Sequence, residues 1–336
     1  MRLEFLRLPP DERWLYIEQV AVRKNVLPVI IEKDFWVSWM LAVLFASKCA
    51  DALVFKGGTS LSKVFGVIDR FSEDIDLSLS PDFLGLKQAG TSRNQVDKWM
   101  KAAEATCGAA VQYTIAPELE GMVVEVLGER AGGWFEFSID SGTKSPVLLF
   151  HYPTSQPTGF EYLKRSVKLE FGSLTDQRPV DRHPVRPWMA EVLESTFSDW
   201  WCEVVSLELT RTFWEKATIL HAECHRPSDK PLPDRFSRHY ADTAALASHS
   251  AATSAIENNE LRDRVVEWKS KFFGRGWARY DLARPGTFRL LPTNERLPEL
   301  KRDYQAMRDM YLSQPPVFDD VLSALAELEK RINSSS

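Results

Sequence analysis

The stretch VFKGGTSLSKVFGVIDRFSEDIDLSL, residues 54–79, limits what this chain can fold into more than any other. The apolar run ALVF stops at Gly57-Gly58. TSLSKVFGVID then continues with Leu61, Val64, Phe65 and Ile68 at helical spacing, so a buried strand turns tightly into a helix. Thr59 or Ser60 can cap that helix. DIDLSLS alternates acidic or polar residues with apolar ones, the period of a half-exposed strand. On it Asp74 and Asp76 send both carboxylates from one face while Ile75 and Leu77 enter the core.

Two hard oxygen ligands aimed at one point suit Mg²⁺, which completes its octahedron with water and substrate phosphates. A metal held this way activates an attacking hydroxyl and neutralises a leaving pyrophosphate. The glycine turn fits the same chemistry, because it lets the backbone approach an anion closely and the first N–H groups of a helix favour phosphate. Neither G-x-x-x-x-G-K-[ST] nor G-x-G-x-x-G is present, so this is no Walker A loop or dinucleotide fingerprint. Each element alone also suits an ordinary turn or a solvated edge strand; their adjacency favours the site. A further carboxylate is expected from a neighbouring strand. Glu170 in SVKLEFGS is the best candidate, on one face with Lys168, while Val167 and Leu169 take the other. A plain cross-strand salt bridge is its alternative, and Glu136 and Asp140 are weaker rivals.

The rest of the chain supplies context. Residues 11–48 read as two helices broken at Pro28. Further strands are expected at 121–128, 133–140 and 165–174, and after about residue 190 the pattern becomes helical, ending in a frayed NSSS tail. Composition is that of an ordinary globular protein, 44% apolar and 26% charged. The formal charge of −5 argues against indiscriminate polyanion binding. It leaves room for a local basic surface, and arginine is dense at 176–188 and 275–302, among aromatics that can stack on bases. Solvated loops with structural ion pairs are the plainer account of both stretches.

Cys49, Cys107, Cys202 and Cys224 show no C-x-x-C spacing and read as reduced thiols. The N-terminus lacks signal-peptide regions, and FWVSWMLAVLFA (35–46) is too short to span a bilayer, so a soluble, cytoplasmic protein without membrane contact is expected. In the helical part, Arg211 and Glu215 have the spacing of an ordinary helix pair. Lys216 lies on a largely apolar face with Phe213 and Leu220, and Arg238, His239 and Asp242 fall within about one turn. No second His or Cys stands at metal-binding spacing from His239.

FKGGTSLSKVF and RFSEDIDLSL, with IEKDFWVSWML before them, VKLEFGS in the middle and TFWEKATILH and RFSRHYADTAAL after them, resemble the AbiEii/AbiGii toxin family of bacterial nucleotidyltransferases over roughly residues 25–250. The resemblance implies an α+β fold: a polymerase β-like nucleotidyltransferase core, a mixed sheet with helices, preceded by N-terminal helices and followed by a helical C-terminal part. The expected domains are 1–185, the core with its N-terminal helices, and 186–333, the helical part.

The same resemblance implies a Mg²⁺- or Mn²⁺-dependent enzyme that transfers an NMP from an NTP to a hydroxyl, with the tRNA 3′ end as expected acceptor. It also implies a toxin of a toxin–antitoxin or abortive-infection (phage-defence) pair, with its cognate antitoxin encoded nearby. A protein or small-molecule acceptor, or GTP binding without turnover, are the competing expectations. Carried over by motif, Lys56, Gly57, Gly58, Thr59 and Ser60 hold the triphosphate, assisted by Lys63. Asp74 and Asp76 bind the metal, Glu170 supports it, and Arg70 and Ser72 belong to the pattern that positions the aspartate strand. Lys216 and Asp242 complete the C-terminal motifs, and Lys216 or a nearby arginine is expected to neutralise pyrophosphate. Where many members have R-D-x-x-D, this chain has His239 at the first acidic position, which speaks against a metal role there.

Overall fold

The computed structural model describes residues 4–155 and 165–335. Its chain contacts define two compact units, residues 1–64 with 72–206, and residues 65–71 with 207–336.

The first unit opens with α1 (Glu4–Arg7), α2 (Pro10–Lys24) and α3 (Pro28–Ala46). Pro10 and Pro28 begin their helices, where a missing N–H leaves no bond unmade. The expected strand, helix and strand follow as β1 (Leu53–Lys56), α4 (Gly57–Lys63) and β2 (Ile75–Leu79). However, α4 starts at the glycines and ends at Lys63, which leaves Val64, Phe65 and Ile68 of the expected helical pattern outside it. Next come α5 (Arg93–Ala110), started by a Ser92/Gln95 capping box, a π-helical turn at Val111–Ile115, and α6 (Ala116–Leu127). The unit is completed by β3 (Phe135–Ile139), β4 (Pro146–Phe150), β5 (Val167–Gly172), β6 (Val180–Val185), α7 (Trp188–Val192), α8 (Glu194–Phe197) and β7 (Cys202–Leu207).

The strands form one mixed sheet in the order β3-β4-β5-β2-β1-β7-β6. β1 and β2 run antiparallel, whereas β2 and β5, and β1 and β7, run parallel. One face carries Phe55, Ile75, Leu77, Val167, Leu169 and Phe171, all fully buried. They join a core with Phe35, Trp36, Met40 and Leu44 of α3.

The second unit contains α9 (Leu209–Cys224), α10 (Ser237–Ala247), α11 (Ser250–Glu257), α12 (Asn259–Phe272), α13 (Leu297–Ala306) and α14 (Phe318–Ser334). α9 is its centre: Phe213, Trp214, Ala217 and Leu220 have no exposure, and α10, α11 and α12 pack around them.

Three further expectations are corrected. Residues 121–128 are not a strand: most of them form the end of α6, where Leu119 and Val123, one helical turn apart, are fully buried. A helix face at spacing four overrides the β-branched run. The helical pattern expected after residue 190 is interrupted by β7, which pairs with β1 through Phe55 and Ser206. The tail is not frayed at Asn333 and Ser334, which belong to α14, and Asn333 bonds both main-chain groups of Phe288; Ser336 lies outside the described residues. Among the described residues no helix is long and apolar enough to cross a membrane, and all four cysteines are free thiols.

Candidate active site

The sheet register lines up three of the expected residues. Lys56 of β1 lies opposite Asp76 of β2, and Asp76 lies opposite Glu170 of β5. Cross-strand partners share a face, so the row Lys56, Asp76, Glu170 lies on the face opposite the Ile75, Leu77 and Leu169 core. Asp74, just before β2, has the parity of Asp76.

The glycine turn is built against this row. Gly57 has φ +83°, and a Cβ there would fall 2.0 Å from Asp76 Oδ2, so only glycine admits the carboxylate. Thr59 and Ser60 are fully buried. The Thr59 hydroxyl donates to the Asp74 carbonyl and is also hydrogen-bonded to Ser72 Oγ at 2.9 Å, while the Ser60 hydroxyl donates to the Gly57 carbonyl at 2.9 Å. These side chains fasten the turn to the aspartate strand. What the turn has left for a ligand is main-chain N–H of the first helical residues, Gly57, Gly58 and Thr59.

Four carboxylates, from Glu73, Asp74, Asp76 and Glu170, lie along the aspartate strand and its neighbour β5, and lysines divide them. Lys33 of α3 pairs with Glu73, and Lys168 pairs with Glu170 at 2.7 Å. Among the described residues neither Asp74 nor Asp76 has a cation at ion-pairing distance. Burial, then the like charges of Asp76 and Glu73, push Asp74 up to about 6 against the partial relief of Lys168 and Lys33. Such a pair fits a hard divalent cation: two oxygen donors of unneutralised charge beside backbone N–H groups suited to phosphate. No third His, Cys, Asp or Glu among the described residues completes a ligand cluster. A shell finished by water and substrate phosphates matches Mg²⁺.

Other expected residues are placed elsewhere. The Lys63 ammonium is 2.5 Å from Asp34 Oδ1 and 2.9 Å from the Arg186 carbonyl, over the Trp188 ring. Asp34 also accepts the Trp188 N–H at 2.7 Å. Glu136 and Asp140 are not brought to the aspartates: β3 is three strands from β2, about 14 Å at ordinary strand spacing. Glu136 meets His151, and Asp140 accepts N–H bonds from Gly142 and Thr143 in the β3–β4 turn.

In the second unit, Arg70 makes a two-pronged pair with Asp242, 2.8 Å at each oxygen, and Lys216 donates to Asp242 Oδ2 at 2.8 Å. All three are buried. Burial alone would raise Asp242, but the Lys216 and Arg70 charges and their hydrogen bonds hold it far below the usual carboxylate range. His239 is pushed well down by burial and then by Lys216 and Arg238, so its imidazole is neutral, with Nδ1 3.5 Å from the Lys216 ammonium. Arg211 and Glu215 form the expected pair at 3.3 Å. Arg70 belongs to the segment Phe65–Phe71, which follows α4 and precedes the aspartate strand in sequence. That segment is tied into the second unit by the Arg70–Asp242 pair and by Phe71 N–H on the Met310 carbonyl at 2.7 Å.

Motif reasoning did not single out Glu32, Lys33, Asp34 or Glu73. Glu32, Lys33 and Asp34 are consecutive, at most 2% exposed, and each faces a different part of the unit. Glu32 accepts bonds from Thr154 and Ser155, Lys33 meets Glu73, and Asp34 meets Lys63. The signal was available in E-K-D set within an otherwise apolar helix. Successive residues 100° apart cannot all reach solvent there, so some must be buried and paired.

With this geometry in place, the chain matches the family profile described as nucleotidyl transferase AbiEii toxin, type IV toxin–antitoxin system, over residues 39–324. A comparison with curated proteins finds no match. Among solved structures the chain is similar to MenT4, a nucleotidyltransferase toxin from Mycobacterium tuberculosis H37Rv. The identity is 16%, the TM-score is 0.50, and the match covers 95% of this chain and 90% of that one. The likeness extends to the fold.

Proposed function

This chain belongs to the AbiEii nucleotidyl transferase toxin family, and on that premise we propose that it transfers an NMP from an NTP to the 3′-terminal hydroxyl of tRNA with Mg²⁺ or Mn²⁺ at Asp74 and Asp76. The observation that carries this reading is the unneutralised aspartate pair packed on the Gly57 turn. Main-chain N–H groups of Gly57, Gly58 and Thr59 hold the triphosphate, with Ser60 fastening the turn, and Lys56 offers a cation in the same row as Asp76. The bound metal supplies charge neutralisation for the triphosphate. The acceptor oxygen attacks the α-phosphorus as the bond to the β-phosphate oxygen breaks. Its proton passes to solvent and pyrophosphate leaves. Glu170, paired with Lys168 and opposite Asp76 in the sheet register, supports the metal site without completing its ligand set. Arg70, Lys216 and Asp242 fix the segment Phe65–Phe71 within its unit, and Ser72 ties the strand to Thr59.

In the cell this makes the protein a cytoplasmic toxin of phage defence, held in check by an antitoxin encoded nearby. The test is incubation with Mg²⁺, each NTP and total tRNA, followed by mass analysis of the RNA 3′ ends. A gain of one or more nucleotides is expected. Unchanged RNA beside a nucleotide adduct on protein or a small molecule would replace the acceptor, and bound GTP without any adduct would replace transfer by sequestration.

A further inference from the structure

Between α12 and α13 the chain runs through residues 273–296 with almost no regular structure, yet buried side chains pin its backbone. His221 of α9, with no exposure, bridges it: Nδ1 accepts the Arg289 N–H at 3.0 Å, so Nε2 carries the proton and donates to the Arg279 carbonyl at 3.0 Å. Asn333 of α14 accepts the Phe288 N–H at 2.9 Å and donates to the Phe288 carbonyl at 3.0 Å. Glu329 accepts the Leu290 N–H at 2.6 Å. Phe288 and Leu290 are fully buried, so Arg289 between them is turned outward, with its side chain 58% exposed.

Four of the outward positions are arginines. Arg275, Arg279, Arg284 and Arg289 are all exposed. Arg279 is paired with Asp281 at 2.9 Å and Arg289 approaches Glu329 only at 3.9 Å, while Arg275 and Arg284 have no ion pair among the described residues. Residues 275–302 hold seven basic side chains against three acidic ones in a chain of net charge −5. His225 lies beside His221, 5.0 Å between ring centroids, and its Nε2 is shielded from solvent without a hydrogen-bond partner. Burial first, then the charges of Arg279 and Arg289, lower its affinity for protons. Trp277 on the same loop is half-buried under the Arg226 guanidinium at 4.8 Å.

We propose that this pinned arginine loop, residues 275–289, is the docking surface for the phosphate backbone of the nucleic-acid acceptor. It rests on the reading of an RNA acceptor and goes beyond it by naming where the RNA is held. Several guanidinium groups on a fixed backbone meet a regular row of phosphates at little ordering cost, since the loop is already ordered by His221, Glu329 and Asn333. Trp277 among them offers a base a stacking surface, from which a polyanion without rings, such as poly-glutamate, gains nothing.

The test is fluorescence anisotropy of labelled tRNA between about 50 and 200 mM salt. It uses the full chain, the exposed-side-chain double variant Arg284→Gln/Arg289→Gln, and the triple variant with Arg279→Gln. Melting temperature and NTP affinity are read in parallel. The expected result is a roughly tenfold or greater loss of RNA affinity in the triple variant, with the salt slope reduced by about 2–3 and the double variant intermediate. NTP affinity stays unchanged. RNA affinity and salt slope equal to wild type would overturn the surface while leaving the acceptor reading intact. Wild-type protein that binds no RNA would overturn both. Poly-glutamate competing as well as RNA of equal charge would overturn the nucleic-acid assignment of the surface.

Discussion

A Cβ at position 57 would lie 2.0 Å from Asp76 Oδ2, so the glycine turn and the aspartate strand occupy each other's space by design of the sequence. Gly57→Ala must displace the carboxylate and also strain a backbone held at φ +83°. The expected outcome is about a 100-fold loss of transfer, the scale of a misplacement near 1 Å. Weaker Mn²⁺ binding should accompany it, and isothermal titration of metal with parallel kinetics checks both.

Asp74 is strained electrostatically in the metal-free protein. Its folded value, about 6 against an ordinary 3.8, means that the native state holds a proton which the unfolded chain has already released, so its ionisation lowers stability as pH rises from about 4 to 6. Asp74→Asn removes that cost. The variant is expected to be more stable than wild type by about 1–3 kcal/mol at pH 7–8 without metal, and inactive. Urea unfolding at pH 4 and pH 8 measures it, and the gain should vanish at the lower pH.

Lys33 is 2% exposed and holds Glu73. Lys33→Met strands that carboxylate and strips a cation from the aspartate cluster, at an expected cost of about 2–4 kcal/mol. Adding Glu73→Leu should return most of the loss, because removing both charges of a largely buried pair, Glu73 being 22% exposed, is less damaging than removing one. A double-mutant cycle by chemical denaturation reads the coupling, and additive effects would argue against the pair.

Asp242 answers two buried cations, Arg70 and Lys216. Asp242→Asn is expected to destabilise the protein by about 3–5 kcal/mol. Because the folded state depresses this carboxylate, its contribution is complete above the unfolded value near 3.9 and is withdrawn as pH falls below about 4. Wild type should therefore lose stability steeply in acid, and Asp242→Asn less steeply, in thermal melts taken from pH 7 to pH 3.

How much of this was legible from residues alone depends on the range of the signal. The β1 strand, the glycine turn and the D-x-D strand rest on local periodicity and turn chemistry, and they stand in the structure where that pattern places them. The period-two pattern also marked Glu170 as a strand carboxylate, but its place opposite Asp76 joins residues remote in sequence and comes from the fold. Residues 121–128 carry an alternating Val-rich pattern, but Leu119 and Val123 bury a helical face, and packing outweighs propensity. β7 is a short run whose partner β1 is remote in sequence, and no local pattern marks it. Lys33 and Glu73 are forty positions apart, so their pairing is a property of the fold. The E-K-D run inside an apolar helix shows only that something must meet those charges. The uses of Thr59 and Ser60 were likewise hidden: their hydroxyls look like phosphate ligands in the sequence, and in the structure they hold the turn together.

The central claim is transfer that depends on the aspartate pair. Its most direct test is the label passed from α-labelled NTP to tRNA by wild type, Asp74→Asn and Asp76→Asn, each shown to be folded by its melt, with Mg²⁺ and with EDTA. Label on the RNA only for wild type with Mg²⁺, and at least about 100-fold less for either variant, is the predicted result. Full labelling by the Asp76→Asn protein would contradict it.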